Sequence, residues 1–248
     1  MDSLTAAAAS GLRSRLETLD LLANNIANSG SPGFKADKEF YNIYRSAEAA
    51  DSTDGGIGSV LPVVEGQWTD FSQGVLNPTA NALDLALSGR GFFVASSPSG
   101  PLLTRGGTLR ISSRGNFETQ EGFAVQDRDG KNILLDNAVP VEVTNEGMVR
   151  QNGQDVAQLD VVDAKSDSSL RKHGLNYFEL AVSDRKPADL GQTTVQQGKT
   201  ETSNVQPAES AVRLISVSRQ FEMLQHALTI GGDMNQKAVE EVANVSPA

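Results

Sequence analysis

The chain has 248 residues, no cysteine and a formal net charge of −10, with 38% hydrophobic and 5% aromatic residues. The lack of cysteine excludes a disulfide framework and a thiolate metal site. The acidic balance argues against a nucleic-acid partner, because phosphate neutralisation needs Lys and Arg. No apolar run approaches the roughly 18–20 residues of a transmembrane segment. The chain opens with Met1 and Asp2 and no basic region, so we expect no cleaved signal peptide.

A helix is predicted within residues 1–30. Its apolar positions recur in alternating steps of four and three residues, which is a heptad-like stripe. The stripe consists of Thr5, Ala9, Leu12, Leu16, Leu19, Ala23 and Ile26. Residues 30–33, with two glycines and a proline, end the helix. Two interpretations stay open: the stripe is buried in the chain's own domain, or it packs against a partner.

The middle of the chain changes from a helical period to a period of two. Residues 31–71 are polar and are predicted to form an extended connector. Within 72–188, apolar residues alternate with polar ones, as at 109–111, and Gly-rich turns separate the runs. This pattern predicts a central antiparallel β-domain. Residues 189–204 are predicted to be a second extended connector that returns the chain.

A second long helix is predicted within residues 205–242, followed by a tail to 248. Its stripe consists of Leu214, Val217, Phe221, Leu224, Leu228 and Gly231. The two stripes can pair as an antiparallel hairpin or pack against neighbouring subunits. The predicted fold class is therefore α+β: long N- and C-terminal helices form a coiled-coil-like domain, and extended connectors join it to the central β-domain.

No residue pattern indicates a catalytic, cofactor or metal site. Asp127 to Gly130 begins like a calcium loop, but the twelfth position is Ala138 instead of Glu, so a β-turn is expected. His173 and His226 are the only histidines and stand apart in sequence. Motifs for a serine nucleophile, a phosphate-binding loop or a zinc protease do not occur. We therefore expect no enzyme activity, no cofactor and no metal.

Several short motifs match one family in order and spacing. The blocks are ANNIAN at 23–28, SPGFK at 31–35, NALDLAL at 81–87, GRGFFV at 89–94, TRGG at 104–107, GNF at 115–117, ETSNVQPAE at 201–209 and RQFE at 219–222. Together they resemble the bacterial flagellar rod and hook proteins. The sequence departs from the usual pattern at 79–82, where TANA replaces TGNP, and at Leu103, where Tyr is common.

The resemblance implies a structural subunit of the flagellar basal-body rod, a periplasmic drive shaft that transmits torque towards the hook. Subunits would assemble helically, with the terminal helices lining a tube. The implied partners are the chain itself, other rod subunits, the surrounding basal-body rings and the flagellar type III export apparatus. The short connector after the first helix favours a proximal over a distal rod subunit.

Two alternatives remain open. One is a distal rod or hook-type filament subunit, which differs in its place in the assembly. The other belongs to a different class: a periplasmic peptidoglycan-active enzyme, which would need paired carboxylates in one cleft.

The candidate site is a subunit interface made from both ends of the chain. Its predicted members are Leu12, Leu16, Leu19, Asn24, Asn25, Ile26, Asn28, Gly33, Phe34, Ser203, Asn204, Val205, Leu214, Arg219, Phe221, Glu222, Leu224 and Leu228. The three asparagines either bond to neighbouring backbones or cap and end the first helix. Arg219 and Glu222 lie three residues apart, so they either pair on one helix face or reach another subunit.

Overall fold

The computed structural model describes residues 3–45, 60–189 and 191–244. Helix α1 spans Ser3–Ala27 and helix α2 spans Pro207–Asn244. The chain divides into two compact units. The terminal unit comprises Met1–Ala27, Asp37–Trp68 and Gln206–Ala248, and the central unit comprises Asn28–Ala36 and Thr69–Val205.

Eighteen β-strands account for most of the elements in the described part of the chain. They are β1 (Asp37–Arg45), β2 (Val60–Thr69), β3 (Leu76–Pro78), β4 (Leu85–Ser88), β5 (Phe92–Ser97), β6 (Gly100–Thr104), β7 (Leu109–Ile111), β8 (Phe117–Thr119), β9 (Ala124–Val125), β10 (Val141–Val143), β11 (Met148–Gln151), β12 (Gln154–Gln158), β13 (Val161–Ala164), β14 (Arg171–His173), β15 (Tyr177–Glu179), β16 (Arg185–Pro187), β17 (Thr194–Gln197) and β18 (Lys199–Glu201).

The predicted fold class, α+β with a coiled-coil-like domain of terminal helices, is wrong. The described residues contain two α-helices, and most of their other elements belong to several antiparallel sheets. Strands also run through both segments that were predicted to be extended connectors, with β1 and β2 in the first and β17 and β18 in the second. Pairing satisfies backbone groups that a lone connector leaves to water. Residues 46–59 of the first predicted connector lie outside the described residues.

In the terminal unit, α1 and α2 pack against each other, and Gly11 marks the side of α1 that meets α2. Gly11 lies at the contact, because a Cβ added there would be 3.4 Å from Leu224 Cδ1. The buried residues Ser14, Thr18 and Leu21 follow Gly11 at steps of three and four, so they share its side of the helix. Small side chains on that side let the helix backbones approach closely.

The predicted heptad stripe lies on roughly the opposite side of α1. Leu12 and Leu19 are only half-buried, and Leu16 is 48% exposed. In a coiled coil the apolar stripe forms the seam between the helices. Because this stripe faces away from the side that carries Gly11, the two helices do not make the predicted seam.

Strands β1 and β2 complete the terminal unit as a two-stranded sheet. An ion pair links β1 to α2, with Arg213 Nη2 2.6 Å from Glu39 Oε1. The Glu39 side chain is almost fully buried, whereas Arg213 is half exposed. Lys38 Nζ lies 5.4 Å from the ring centroid of Trp68, which pairs a cation with an aromatic face. Side-chain contacts therefore hold the sheet within this unit.

The central unit is built on a nine-stranded antiparallel sheet, and its strand β5 is buried on both faces. The main path runs β14-β15-β6-β5-β9-β8-β7, and β13 pairs with both β5 and β16. Neighbouring residues of β5 enter separate clusters, with Phe93 beside Leu85 and Phe117 in one and Phe92 beside Phe178 in the other. Successive strand side chains point to opposite faces, so one strand serves both cores.

In two smaller sheets, the last strands of the central unit pair with its first strands. Strand β17 pairs with β4, and Val195 lies opposite Leu87. Strand β18 pairs with β3, and Glu201 lies opposite Leu76. A three-stranded sheet of β10, β11 and β12 lies between these segments in the sequence. The return of β18 positions Glu201 for the site described next.

Candidate functional site

The turn after α1 has a backbone geometry that only glycine accommodates. Gly33 has a φ of +73°, in the left-handed region. A Cβ at this position would lie 2.4 Å from the Gly106 backbone nitrogen and 2.5 Å from the Arg105 carbonyl carbon. The Gly33 N–H donates to the Glu201 carbonyl oxygen over 2.8 Å. Three of the sequence motifs therefore meet at this turn.

Phe34 anchors the same segment through apolar contacts. Its side chain is fully buried and clusters with Ala36 and Val205. Lys172 Nζ lies 4.1 Å from the centroid of the Phe34 ring, at cation–π distance. Lys172 Nζ also donates to the Lys35 carbonyl oxygen over 3.0 Å. Lys172 thus contacts both an aromatic side chain and a backbone carbonyl group of this segment.

Glu201 is the centre of a buried ion-pair network. Lys35 Nζ lies 2.5 Å from Glu201 Oε1, and Arg105 Nη1 lies 2.9 Å from Oε2. The Gly74 N–H also donates to Oε1 over 2.8 Å. Lys35, Arg105 and Glu201 are 0%, 4% and 1% exposed. The carboxylate therefore neutralises two cations inside the protein, where a charge without a partner is costly.

Burial sets the electrostatics of the two cations. It lowers the pKa of Lys35, and the negative charge of Glu201 and its hydrogen bond oppose that change. Burial likewise lowers the pKa of Arg105, again against the effect of Glu201. Arg105 Nη2 also donates to the Gly89 carbonyl oxygen over 2.6 Å. The same carboxylate compensates both buried cations.

Asn204 joins three backbone segments of the central unit. Its Oδ1 accepts from the Ala36 N–H over 2.8 Å, and its Nδ2 donates to the Asp70 carbonyl oxygen over 2.7 Å. Nδ2 is also within hydrogen-bond distance of the Ser72 carbonyl oxygen, at 3.2 Å. The neighbouring Ser203 is buried, and its Oγ accepts from the Val205 N–H. One amide side chain thus fixes the path of both connecting segments.

The three predicted asparagines at the end of α1 have different surroundings. Asn25 is buried and makes a two-way bond with Asp37, donating to its carbonyl oxygen over 2.8 Å and accepting from its N–H over 3.0 Å. Asn28 is buried, and its carbonyl oxygen accepts from the Ser31 N–H. Asn24 is exposed. Asn25 therefore bonds to a backbone of its own chain.

The remaining predicted positions lie on the two helices and do not form one cluster. Leu12, Leu19, Ile26, Leu214, Phe221, Leu224 and Leu228 are half-buried, and Leu16, Arg219 and Glu222 are exposed. Among the described residues no ion pair joins Arg219 to Glu222. By contrast, the structure brings together Gly33, Phe34, Ser203, Asn204 and Val205 in the central unit.

Sequence reasoning did not single out Lys35, Arg105 or Glu201 as site residues, although each lies in a quoted motif. The signal in the sequence that could have identified them is that a charged residue occurs in motifs made mostly of small, aromatic or amide-bearing residues. Their pairing could not be inferred, because Lys35 and Glu201 are 166 positions apart. We name these three residues, with Gly33 and Asn204, the motif junction.

Two further observations concern metal ions and membranes. In the part of the chain that the structure describes, His, Asp and Glu side chains nowhere gather in a group of three that could bind a metal ion. Neither described helix combines the length and the apolar character needed to span a membrane.

Comparison with known proteins identifies the family. Residues 196–247 match the sequence model of the flagellar basal body rod FlgEFG protein C-terminal region, and residues 86–151 match that of the flagellar hook protein FlgE/F/G D1 domain. The flagellar basal-body rod protein FlgF of Caulobacter vibrioides is 30% identical over 229 residues, which cover 92% of this chain and 93% of the relative. The chain belongs to the flagellar basal-body rod protein family.

Other members of the rod family match over a similar length. The FlgF protein of Rhizobium meliloti is 30% identical over 224 residues, covering 90% of each chain. The FlgG protein of Caulobacter vibrioides is 29% identical over 252 residues, covering 92% of this chain and 95% of the relative. Arg105 lies in the region matched by the D1 model, and Glu201 and Asn204 lie in the region matched by the C-terminal model. Both matched regions of the rod family thus contribute to the motif junction.

Proposed function

We propose that this chain is a structural subunit of the flagellar basal-body rod that assembles helically with copies of itself and with other rod subunits. The observation that carries the proposal is the match over 92% of the chain to a relative named as a basal-body rod protein. The motif junction fits a structural role, because its three charged side chains are buried and form ion pairs with one another within the chain.

Exposed apolar residues on both helices support assembly through the terminal unit. Leu16 is exposed on α1, on the side away from Gly11. Helix α2 carries exposed apolar residues on roughly the opposite side from Leu214, Phe221 and Leu228. These exposed residues are Val212, Ile215, Met223, Ile230 and Met234. Covering such residues with a neighbour gains about 25 cal/mol per Å² of apolar surface.

The predicted interface residues then fall into two groups with different roles. Leu16, Asn24, Arg219 and Glu222 are exposed, and the half-buried helix positions are partly exposed, so neighbouring subunits could contact these surfaces. Gly33, Phe34 and Val205 are already buried within the chain and act by fixing its fold. Assembly would thus use the outer faces of both helices while the motif junction keeps the central unit intact.

Within the rod, we place this chain in the proximal part as a subunit that transmits torque across the periplasm. Relatives named FlgF at 30% identity and the short segment after α1 favour this position. The flagellar type III apparatus is the export route consistent with rod membership, and the surrounding basal-body rings are the expected neighbours. A distal position is the alternative, because relatives named FlgG also match.

The test is removal of the gene followed by isolation of basal bodies. We expect a non-motile strain whose basal bodies stop before the proximal rod is complete, and restoration of both by the full chain. A cryo-electron-microscopy map of complemented basal bodies should place the chain in the proximal rod. Density in the distal rod would assign it there instead, and complete rods in the deletion strain would overturn the structural role.

A further inference from the structure

Two exposed methionines lie on one side of α2. Met223 is 63% exposed and Met234 is 67% exposed, although methionine is among the residue types that are most often buried. They are eleven positions apart, which is about three helical turns, so both side chains project from the same side of the helix. Val212 and Ile230 are exposed on that side as well. The two thioether groups therefore belong to one apolar face that is largely open to solvent in the isolated chain.

The fold of the terminal unit uses the other side of α2. Val217 is buried, and Leu224 Cδ1 lies 3.4 Å from the place of a Cβ added at Gly11 of α1. On a helix of 3.6 residues per turn, Val217 and Leu224 project away from the side that carries Met223 and Met234. A change of polarity at the two methionines should therefore leave the packing of the helices intact.

Methionine side chains hold all the sulfur of this chain. The chain has no cysteine and four methionines. Met148, on β11, is half-buried in the central unit, whereas Met223 and Met234 are exposed. An oxidant in solution must reach a sulfur atom to react with it. Among these three residues we therefore expect the two on α2 to be oxidised first.

Hydrogen peroxide can oxidise an exposed thioether without any further reactant. A lone pair of the sulfur attacks one peroxide oxygen, the O–O bond breaks and an S–O bond forms. The departing hydroxide takes the proton of the transferred hydroxyl group, so the products are methionine sulfoxide and water. Sulfur is oxidised and peroxide is reduced. Methionine sulfoxide reductases convert the product back to methionine, so the modification is reversible.

Oxidation changes what the outer face of α2 can pack against. Methionine suits a face that meets irregular surfaces, because its side chain is flexible and polarizable. The sulfoxide is polar, and in the isolated chain water hydrates it. An apolar neighbour would remove that water, and burial of a polar group without a hydrogen bond is costly. The modification is therefore tolerated by the folded chain and unfavourable under a neighbouring subunit.

We propose that Met223 and Met234 form a peroxide-sensitive modification site, and that their oxidation to methionine sulfoxide keeps the folded chain out of the rod until a reductase restores the thioethers. The selectivity of the oxidation follows from the exposure of the two side chains. Its effect on assembly rests on the proposed function, because a neighbouring subunit must cover this face of α2.

The chemistry is tested on the purified full chain with dilute hydrogen peroxide, followed by peptide mapping with mass spectrometry. We expect Met223 and Met234 to gain oxygen several-fold faster than Met148. Thermal unfolding should be the same before and after this oxidation, and a methionine sulfoxide reductase should remove the added oxygen. Equal rates at the three methionines, or loss of the fold after oxidation of α2 alone, would overturn the site.

Paired substitutions test the effect on assembly in a strain that lacks the natural gene. Met223→Gln with Met234→Gln introduces a polar side chain like the sulfoxide, whereas Met223→Leu with Met234→Leu removes sulfur and stays apolar. Glutamine and leucine both favour helix, and thermal unfolding checks that both variants are folded. We expect the leucine pair to enter basal bodies normally and the glutamine pair to enter them at least about tenfold less.

Met148→Gln is the matched control, because it makes the same change in the central unit and should not reduce incorporation. Normal incorporation of the glutamine pair, an equal loss in the leucine pair, or an equal loss in the control would overturn the effect on assembly and leave rod membership intact. Failure of the unsubstituted chain to enter basal bodies would instead contradict the proposed function.

Discussion

Glu201, the last residue of the short strand β18, forms ion pairs with two cations in the central unit. Its two carboxylate oxygens meet Lys35 and Arg105, and all three groups are buried. Such a triad adds little stability over apolar packing, but removing one partner leaves charge buried without compensation. The carboxylate therefore matters more than either cation, because its removal leaves two buried cations without a counter-ion.

The first prediction is that Glu201→Gln strongly destabilises the central unit. The isosteric amide keeps the volume but removes the charge, so two buried cations lose their counter-ion. We expect a loss of about 3–5 kcal/mol in the free energy of unfolding, measured by denaturant titration. Glu179→Gln is the matched control, because Glu179 is half exposed in its pair with His173. Equal stability of the two variants would show that the network is not what holds the unit.

The second prediction concerns the turn after α1. Gly33→Ala places a Cβ against the backbone at Gly106 and requires a left-handed conformation from a non-glycine residue. Strain of this kind costs about 1–3 kcal/mol before the clash is added. Gly30→Ala is the control in the same turn, since a Cβ there meets nothing within 4 Å. Thermal unfolding of the two variants should differ clearly, and similar melting temperatures would contradict the steric argument.

The third prediction is a pH dependence at Asp160. Partial burial raises the pKa of Asp160 above its ordinary value of 3.8, and Arg185 and Arg128 only partly oppose that change. The folded state thus holds the proton more tightly than the unfolded state. The resulting stabilisation is present below pH 3.8 and is lost as the pH rises through the raised value.

Asp160→Asn should therefore unfold at a higher denaturant concentration than the unsubstituted chain at neutral pH. The advantage should shrink as the pH falls and disappear below 3.8. Asp129→Asn, on an exposed turn, should show no such pH-dependent difference. An advantage of Asp160→Asn that persists at low pH would point to a cause other than the charge.

At the scale of single residues, the sequence identifies which motifs matter but not what they do. Gly33 and Asn204 can be selected from the motif blocks, and their roles as a turn and a three-way bond become visible only in the structure. Lys35 and Glu201 look like surface charges, because a linear pattern carries no measure of burial across 166 positions.

At the scale of elements, periodicity reports local conformation better than it reports packing partners. Alternation at 109–111 and 141–143 corresponds to strands β7 and β10. The stripe of Leu12, Leu16 and Leu19 is a real helix face, but it does not face α2. The contact falls on the side of Gly11 and Ser14, because small residues permit closer approach than leucines do. A pattern of hydrophobic residues alone does not detect this advantage.

The fourth prediction separates the two faces of α1. Leu16→Asp puts a carboxylate on an exposed position, so the isolated chain should keep its stability while assembly fails. Leu22→Asp puts the same group at a buried position and should destabilise the chain itself by several kcal/mol. Thermal unfolding and a motility assay should therefore separate the variants. A motile Leu16→Asp strain would show that no neighbour covers this face.

At the scale of the whole molecule, composition suggested connectors where the chain forms sheets. Polar segments rich in Gly, Ser and Thr supply little apolar signal, yet β17 and β18 pair along their length with β4 and β3. Backbone hydrogen bonds and single buried residues such as Val195 stabilise this strand pairing. No periodic pattern in the sequence indicates that Val195 is buried.

The fifth prediction is that a protease-resistant central unit extends to about residue 205. Strands β17 and β18 and the buried Glu201 belong to the compact unit that ends at Val205. Limited proteolysis followed by mass spectrometry should therefore give a resistant fragment ending at or beyond this point, because cleavage needs locally unfolded backbone. A stable product ending near residue 190 would show that the return strands are dispensable.

The position of Glu201 also makes the fold a check on whether the chain is whole. Lys35 and Arg105 emerge early in synthesis, and the carboxylate that both of them contact follows 96 residues after Arg105. A fragment that ends before residue 201 lacks this carboxylate. Burying Lys35 and Arg105 without it is costly, so such a fragment should leave both cations in water and should not complete the native central unit.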